Sequence, residues 1–228
     1  MSAPTRNRLW RVAGGLLLAH VVLLFAGAVF THSLQLGDEP SKAATALANS
    51  SLARNFLGGT LGYVGFLVFL VVAMLLAQLL RQEGETAAWL SSCVGAAGIA
   101  YVALTVATGF AAGAAAVYNG HHGADLATAT TVNDIRNFGF ILSGGFTGLF
   151  ALSVAATGRM TGQLSRWVSA SGIVVGVLCI VAIPGARAGM ADISTMLWFV
   201  WLIVLAVAAL RRRQPTSGIE ADRAVVRT

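Results

Sequence analysis

Six apolar runs set the terms for any fold this chain can adopt. Near 10–31, 56–80, 87–117, 135–157, 167–184 and 194–210 the sequence is almost free of charge, and each run approaches the roughly 20 helical residues that cross a hydrocarbon core of about 30 Å. In lipid no water satisfies the backbone, so only helices and closed barrels span. Barrel strands of about ten residues would show period-two alternation with polar inward faces, and the runs lack it. They predict an all-α, polytopic membrane bundle of six transmembrane helices. Composition agrees, because 57% of the 228 residues are apolar and only 11% are charged, against about 25% charged in soluble domains.

The first run also has the look of a secretory signal, with a basic flank and an apolar centre in "RNRLWRVAGGLLLAHVVLLFAGAVF". Its apolar run from Val12 to Phe30 is nineteen residues long and exceeds the roughly 7–15 of a signal h-region, which makes it a span. Lys and Arg then orient the bundle. Arg6, Arg8, Arg11, Arg81, Arg159, Arg166, Arg211, Arg212, Arg213, Arg223 and Arg227 fall on one side, and Lys42, Arg54, Arg136 and Arg187 on the other. Eleven against four is a positive-inside bias that puts both termini in the cytoplasm. Residues 1–9 form a cytoplasmic flank, 10–210 the transmembrane domain, and 211–228 a polar, disordered tail with a helix-ending Pro215. Trp10, Trp89, Trp167, Trp198 and Trp201 are expected near span ends, as an interfacial belt. The net charge of +6 is divided among the connecting segments, so topology accounts for it and no nucleic-acid partner is expected. The lipid bilayer is the partner that composition demands.

Short inner turns, "RQEGET" and "RMTGQLSR", force neighbouring helices into antiparallel hairpins. In the longer outer connection, Pro40 and Ser41 could open a short helix with Ala44, Leu47, Ala48 and Leu52 on one face. Glycines four apart, Gly58 with Gly62, Gly109 with Gly113, Gly144 with Gly148 and Gly172 with Gly176, favour close helix crossing. Gly95 is followed four residues on by Ile99 and offers no such groove. These pairs fit a self-contained bundle, with a homo-oligomer or a partner membrane subunit as the alternative. Cys93 and Cys179 lie apart inside apolar stretches and are read as small packing residues.

Few residues could carry chemistry. The stretch "YNGHHGADLA" offers His121, His122 and Asp125 as metal ligands, although its glycines favour a solvated loop; His32 and Asp38 could join only if two outer loops meet. His20 is an ionisable group in mid-span, a functional candidate by cost alone, yet a neutral imidazole can equally hydrogen-bond a neighbouring helix. The tripeptide Arg-Asn-Phe occurs twice at the entrance of an apolar run, at Arg54-Asn55-Phe56 and at Arg136-Asn137-Phe138, each Arg followed eight residues on by a glycine. The echo is consistent with an old duplication, as in small transporters. Asn55 and Asn137, with Ser50, Ser51, Asn133 and Asp134 nearby, are candidate helix caps. An arginine at a membrane boundary can snorkel into headgroups. Alternatively Arg54, Arg136 and Arg187, balanced by Asp38, Glu39, Asp134 and Asp192, line one outer vestibule for an anion or lipid headgroup.

The layout, a basic flank, a first span, the outer segment "GDEPSKAATALANSSLARN" running straight into the second span, then four spans with short inner turns, resembles a bacterial family catalogued as domain of unknown function 4386. The resemblance covers most of residues 8–212, rests on layout and small-residue texture, and implies a six-helix bundle without carrying over a catalytic residue. The Ala- and Gly-rich, Lys-poor composition fits a high-GC bacterium, and hence a multi-pass protein of the inner membrane. Neither an enzyme motif nor a defined cofactor is indicated, since HExxH, GxSxG, P-loop and CxxC patterns are missing. The spans hold no mid-bilayer Asp or Glu, which disfavours a proton-coupled pump. A structural, sensory or accessory subunit with an outward vestibule is the favoured reading, with a small-molecule transporter or channel and a metal-binding membrane protein as alternatives.

Overall fold

The chain folds as apolar sequence in lipid requires, with its backbone polar groups satisfied inside helices. The computed structural model describes residues 3–31, 45–46, 49–81, 84–123 and 125–212. In chain order the helices are α1 (Ala3–Phe30), α2 (Leu52–Leu80), α3 (Glu85–Leu104), a π-helical segment (Thr105–Ala111), α4 (Ala112–His121), α5 (Leu126–Met160), α6 (Arg166–Val181), a 3-10 turn (Ala186–Ala188) and α7 (Met190–Leu210). No strand occurs among the described residues. The surface helix expected around residues 40–52 falls largely outside the described residues, as does the tail from 213 onward.

Five apolar stretches are long enough to cross a membrane: Pro4–Phe30, Leu52–Leu80, Glu85–His121, Thr130–Met160 and Met190–Leu210. The third runs unbroken through α3, the π segment and α4 for 37 residues, longer than its apolar run alone indicates. Helix α6 has 16 residues, about 24 Å at 1.5 Å per residue.

Neighbouring helices run antiparallel around a closed ring, α1 to α2 to α3–α4 to α5 to α6 to α7 and back to α1. Glycine sets the closest crossings. A Cβ on Gly27 would stand 2.7 Å from the Gly58 carbonyl oxygen, and one on Gly58 would stand 2.6 Å from that of Gly27. Gly148 and Gly176 join α5 to α6 in the same reciprocal way, at 2.6 and 2.8 Å. Gly172 admits the edge of Trp201, and Gly14 brings α1 against Ala206 of α7. The expected pair Gly109 and Gly113 behaves differently, for Gly109 meets only Thr105 of its own helix and Gly113 faces Arg136.

The ring closes over an aromatic centre. Phe69 contacts Tyr101, Phe150 and Trp198 with ring centroids 5.1–6.1 Å apart, distances typical of edge-to-face and offset packing. Trp10, Trp198 and Trp201 belong to this buried core. The expected tryptophan belt is therefore only partly realised, because just Trp89 and Trp167 are exposed. His20 sits in the same core, fully buried between the rings of Phe66 and Phe69. Its Nδ1 lies 2.8 Å from the Gly65 carbonyl, which can only accept, so that nitrogen carries the proton and the ring ties α1 to α2.

At the end of the bundle that carries the N-terminus of α1, Arg212 fastens three elements. Its guanidinium lies 3.9 Å over the Trp10 ring and donates to Gln163 through Oε1 at 3.0 Å and through the backbone carbonyl. Arg11 donates back to the Arg212 carbonyl at 3.0 Å. Burial, helped by nearby Arg6, lowers the Arg212 pKa to about 10, which leaves it charged at neutral pH.

Candidate functional site

At the opposite end, the ring encloses a cavity of about 730 Å³, within the range of small-molecule sites. Five helical columns line it: α1, α2, the π segment with α4, α5 and α7. Small residues create the space. Gly59, Gly109, Gly113, Ala111 and Ala114 all face it, where bulkier side chains would have filled it. The π turn lies beside it, with Thr108 wedged against Gly139 of α5 and Phe110 against Gly62 of α2. Such turns widen a helix locally and recur at functional positions.

Arg136 supplies the cavity's positive charge. Its stem passes over Gly113, where an added Cβ would meet Cδ at 3.1 Å and Nε at 3.3 Å. Among the described residues no hydrogen bond or ion pair reaches the guanidinium. Two further polar atoms of the lining are buried without a partner, Asn137 Nδ2 and Thr105 Oγ1. Leaving such a group unpaired costs about 1–3 kcal/mol, and both residues belong to the lining of this one cavity. Asn55 and the buried Asn133 also face the space. Thr60 and Ser143 donate to carbonyls of their own helices, Phe56 at 2.8 Å and Phe140 at 2.7 Å. Asp192, in the first turn of α7, adds a carboxylate to the far wall.

The two Arg-Asn-Phe copies diverge here. Both asparagines line the cavity, but of the two arginines only Arg136 does. Arg54 is exposed and lies 5.9 Å over the Phe30 ring, an arrangement close to the snorkelling alternative. Asp134 is exposed and outside the lining, since it sits two residues from Arg136 on a different face of α5. Arg187 occupies the 3-10 turn. The expectation that Arg54, Arg136 and Arg187 share one vestibule is thus corrected for Arg54: the lining holds Arg136 with three asparagines, and the Arg187 side chain lies outside the described residues.

The capping expectation holds for Ser51 and is corrected for the two asparagines. Ser51 caps α2, accepting from the Arg54 amide at 3.4 Å, and Asn55 donates to the Ser51 carbonyl at 2.9 Å. Helix α5 starts at an Asp125 cap, eleven residues before Arg136, so Asn137 lies in the helix body and is free to face the cavity.

The residues offered as metal ligands do not converge. His121 Nε2 donates to the Ser50 carbonyl at 2.6 Å. His122 donates to the Tyr118 carbonyl at 2.8 Å and stacks on the Tyr118 ring at 3.9 Å. Asp125 accepts from the Thr128 hydroxyl at 2.7 Å and amide at 2.9 Å, and these bonds, the hydroxyl's first, hold its carboxyl below the usual range. No group of three His, Cys, Asp or Glu among the described residues could hold a metal. His32 and Asp38 lie outside the described residues.

Sequence reasoning missed Thr105 and the π turn, and took Gly113 for a helix-crossing position. No residue pattern announces a π turn, and a threonine inside an apolar run is ordinarily satisfied by its own helix. No family model matches the chain, and no curated protein or solved structure shows significant similarity to it.

Proposed function

We propose that this chain is a structural, sensory or accessory subunit of a bacterial inner membrane that holds an anionic group in an outward-facing vestibule. One observation carries the reading: in a cavity inside an apolar bundle, the Arg136 guanidinium has no acid partner among the described residues while Asn137 Nδ2 beside it is also unpaired. An uncompensated charge in such a setting is costly unless a ligand or water answers it. Guanidinium and amide both donate, and an anion accepts from both.

The orientation is supported by the arginines. Arg6, Arg8, Arg11, Arg81, Arg159, Arg166, Arg211 and Arg212 stand at the end opposite the cavity, which by the positive-inside bias is the cytoplasmic end. Helix α6 is taken as a sixth crossing, since it joins the far ends of α5 and α7 despite its 16 residues. Membership of the bacterial family that the layout resembles belongs to the same proposal and adds no activity.

The test is native mass spectrometry of the wild type and Arg136→Gln after gentle extraction. The expected result is an anionic adduct on the wild type that the variant loses, with both proteins melting cooperatively. Equal adduct occupancy in the two proteins refutes the reading.

A further inference from the structure

We infer that the vestibule takes a single-chain amphiphile with one negative charge, of the class of medium-chain carboxylates, its head at Arg136 and Asn137 and its tail among the helices toward Tyr101. The inference rests on the anion reading above and names the class of anion. Three features of the cavity select this class.

The first is its gradient of polarity. Arg136, Asn55 and Asn133 stand toward the end where α2 begins, whereas the deeper lining is mostly apolar, with Leu24, Phe66, Tyr101, Val106, Phe110 and Phe199 beside the Thr105 and Ser143 hydroxyls. A free inorganic anion would satisfy the polar end and leave the apolar depth empty, whereas an alkyl chain gains from removing its surface from water there.

The second is depth. Gly113 marks the level of the Arg136 stem, and the same column lines the cavity past Thr105 as far as Tyr101, twelve residues away; at no more than 1.5 Å per residue, and less through the π segment, the depth is at most about 18 Å. With C–C bonds of ~1.5 Å in a zigzag, a chain of roughly ten carbons extends about 12 Å, which this depth admits and which reaches past Thr105.

The third is charge. Arg136 is the one cation among the described lining residues, and Asp192 of α7 adds a carboxylate to the same lining. A head with a second negative charge would meet that carboxylate, so a monoanion fits the site better than a phosphate dianion.

The experiment is equilibrium binding of radiolabelled decanoate to the full chain in phosphatidylcholine nanodiscs, with acetate, inorganic phosphate and decan-1-ol as competitors. Saturable binding of one decanoate per chain is expected, with decanol at least tenfold weaker and acetate and phosphate ineffective at the same concentration. Arg136→Gln should weaken decanoate at least tenfold, with Arg136→Lys restoring some of the loss. Thr105→Phe should weaken decanoate but leave hexanoate unchanged. If that variant fails to fold, affinity across hexanoate, decanoate and hexadecanoate on the wild type should peak near decanoate. Displacement of decanoate by phosphate as well as by itself overturns the amphiphile while leaving an anion site intact. Decanol equal to decanoate, with no effect of Arg136→Gln, overturns both readings, whereas an absence of saturable decanoate binding overturns the amphiphile and leaves the anion reading to its own test.

Discussion

Gly148→Ala isolates the contact on which the α5–α6 hairpin depends. The added methyl carbon would stand 2.6 Å from the Gly176 carbonyl oxygen and 2.7 Å from Ile180 Cγ1. Ordinary contact begins near 3.4 Å, so the two helices must separate by about 0.8 Å or bend to admit it. Neither obstacle can swing away cheaply, because one is backbone and the other a β-branched side chain on the facing helix. Overpacking of this kind costs typically 1–3 kcal/mol. In lipid the loss is not offset by burial, since close approach itself is what holds such helices together.

A cost of about 2 kcal/mol corresponds to a lower melting temperature on the order of 4–8 °C for a chain of this size. The control is Gly95→Ala, where the new methyl would meet Ala77 Cβ and Met74 Sδ at 3.6 Å, an ordinary distance. Removing a glycine from a helix gains up to ~1 kcal/mol, so this variant should melt at or above the wild type. Thermal unfolding of both in one detergent reads the difference. The Gly148→Ala and Gly176→Ala changes together should cost less than their sum, because helices already spread by one methyl accommodate the second. If Gly148→Ala melts with Gly95→Ala, the close crossing does not hold the hairpin and the reasoning fails.

Three further outcomes follow from the same structure. Arg212→Ala should lower stability by about 1–3 kcal/mol by removing the stack on Trp10 and the bonds to Gln163, and Arg212→Lys should recover little, because an ammonium lacks the planar fork; urea or thermal melts of the three proteins compare them. His20→Phe should cost about 1 kcal/mol or less, the worth of an interhelical hydrogen bond in a membrane, whereas His20→Ala should cost about 2–4 kcal/mol through the cavity it leaves; equal melting of the two would show that packing around the ring is unimportant. Asp125 has a folded pKa below its unfolded value, so its contribution is present above the unfolded pKa and is lost as pH falls through the folded one; hydrogen-exchange protection factors at the start of α5, taken relative to the intrinsic rate at each pH, should fall on acidification in the wild type and become less pH-dependent in Asp125→Asn.

The residue pattern reads differently at different levels of organisation. Five of the span positions and three of the four glycine pairs were legible, because apolar length and small-residue spacing act locally or through one neighbour. Gly148 and Gly176 were recognisable as packing positions, although nothing in either motif names the other as its partner. The site was legible only incompletely. Arg136, Asn55, Asn137 and Asp192 emerged as candidates, while Arg54 and Asp134 were grouped with them on the strength of proximity in sequence. What separates Arg136 from Arg54 is rotation about the helix axis and depth from the cap. Arg54 follows Ser51 by three residues and stays at the rim, whereas Arg136 lies three turns inside α5. Helix α5 begins about nine residues before the apolar run, in "LATATTVND", where polar composition disguised helix. The buried tryptophans were misplaced for a similar reason: nearness to a span end fixes depth in the membrane, not which way the ring points.

The cavity itself is a consequence of where small residues are spent. Gly27 with Gly58 draws α1 onto α2, and Gly148 with Gly176 draws α5 onto α6, so these two pairs cross at backbone contact. The third column has to close the ring between α2 and α5. Its lower half does so with Tyr101 and Val102, which join the packed core. Its upper half, "ATGFAAGAAAV", has one large side chain, Phe110, and that ring turns onto Gly62 of α2. What remains on this column is glycine and alanine, too short to reach across a gap fixed by its tighter neighbours. Arg136 is the long side chain directed into that gap, and Gly113 is what lets its stem pass. A larger residue at position 113 should therefore disturb anion retention more than it disturbs folding: Gly113→Ala brings a methyl to 3.1 Å from Arg136 Cδ, tight enough to turn a flexible side chain aside but not to push the helices apart. Adduct occupancy by native mass spectrometry should fall in this variant while its melting temperature stays near that of the wild type. Loss of both together would mean that Arg136 is a packing element of the bundle, and loss of neither would mean that its position over Gly113 is irrelevant to what the cavity holds.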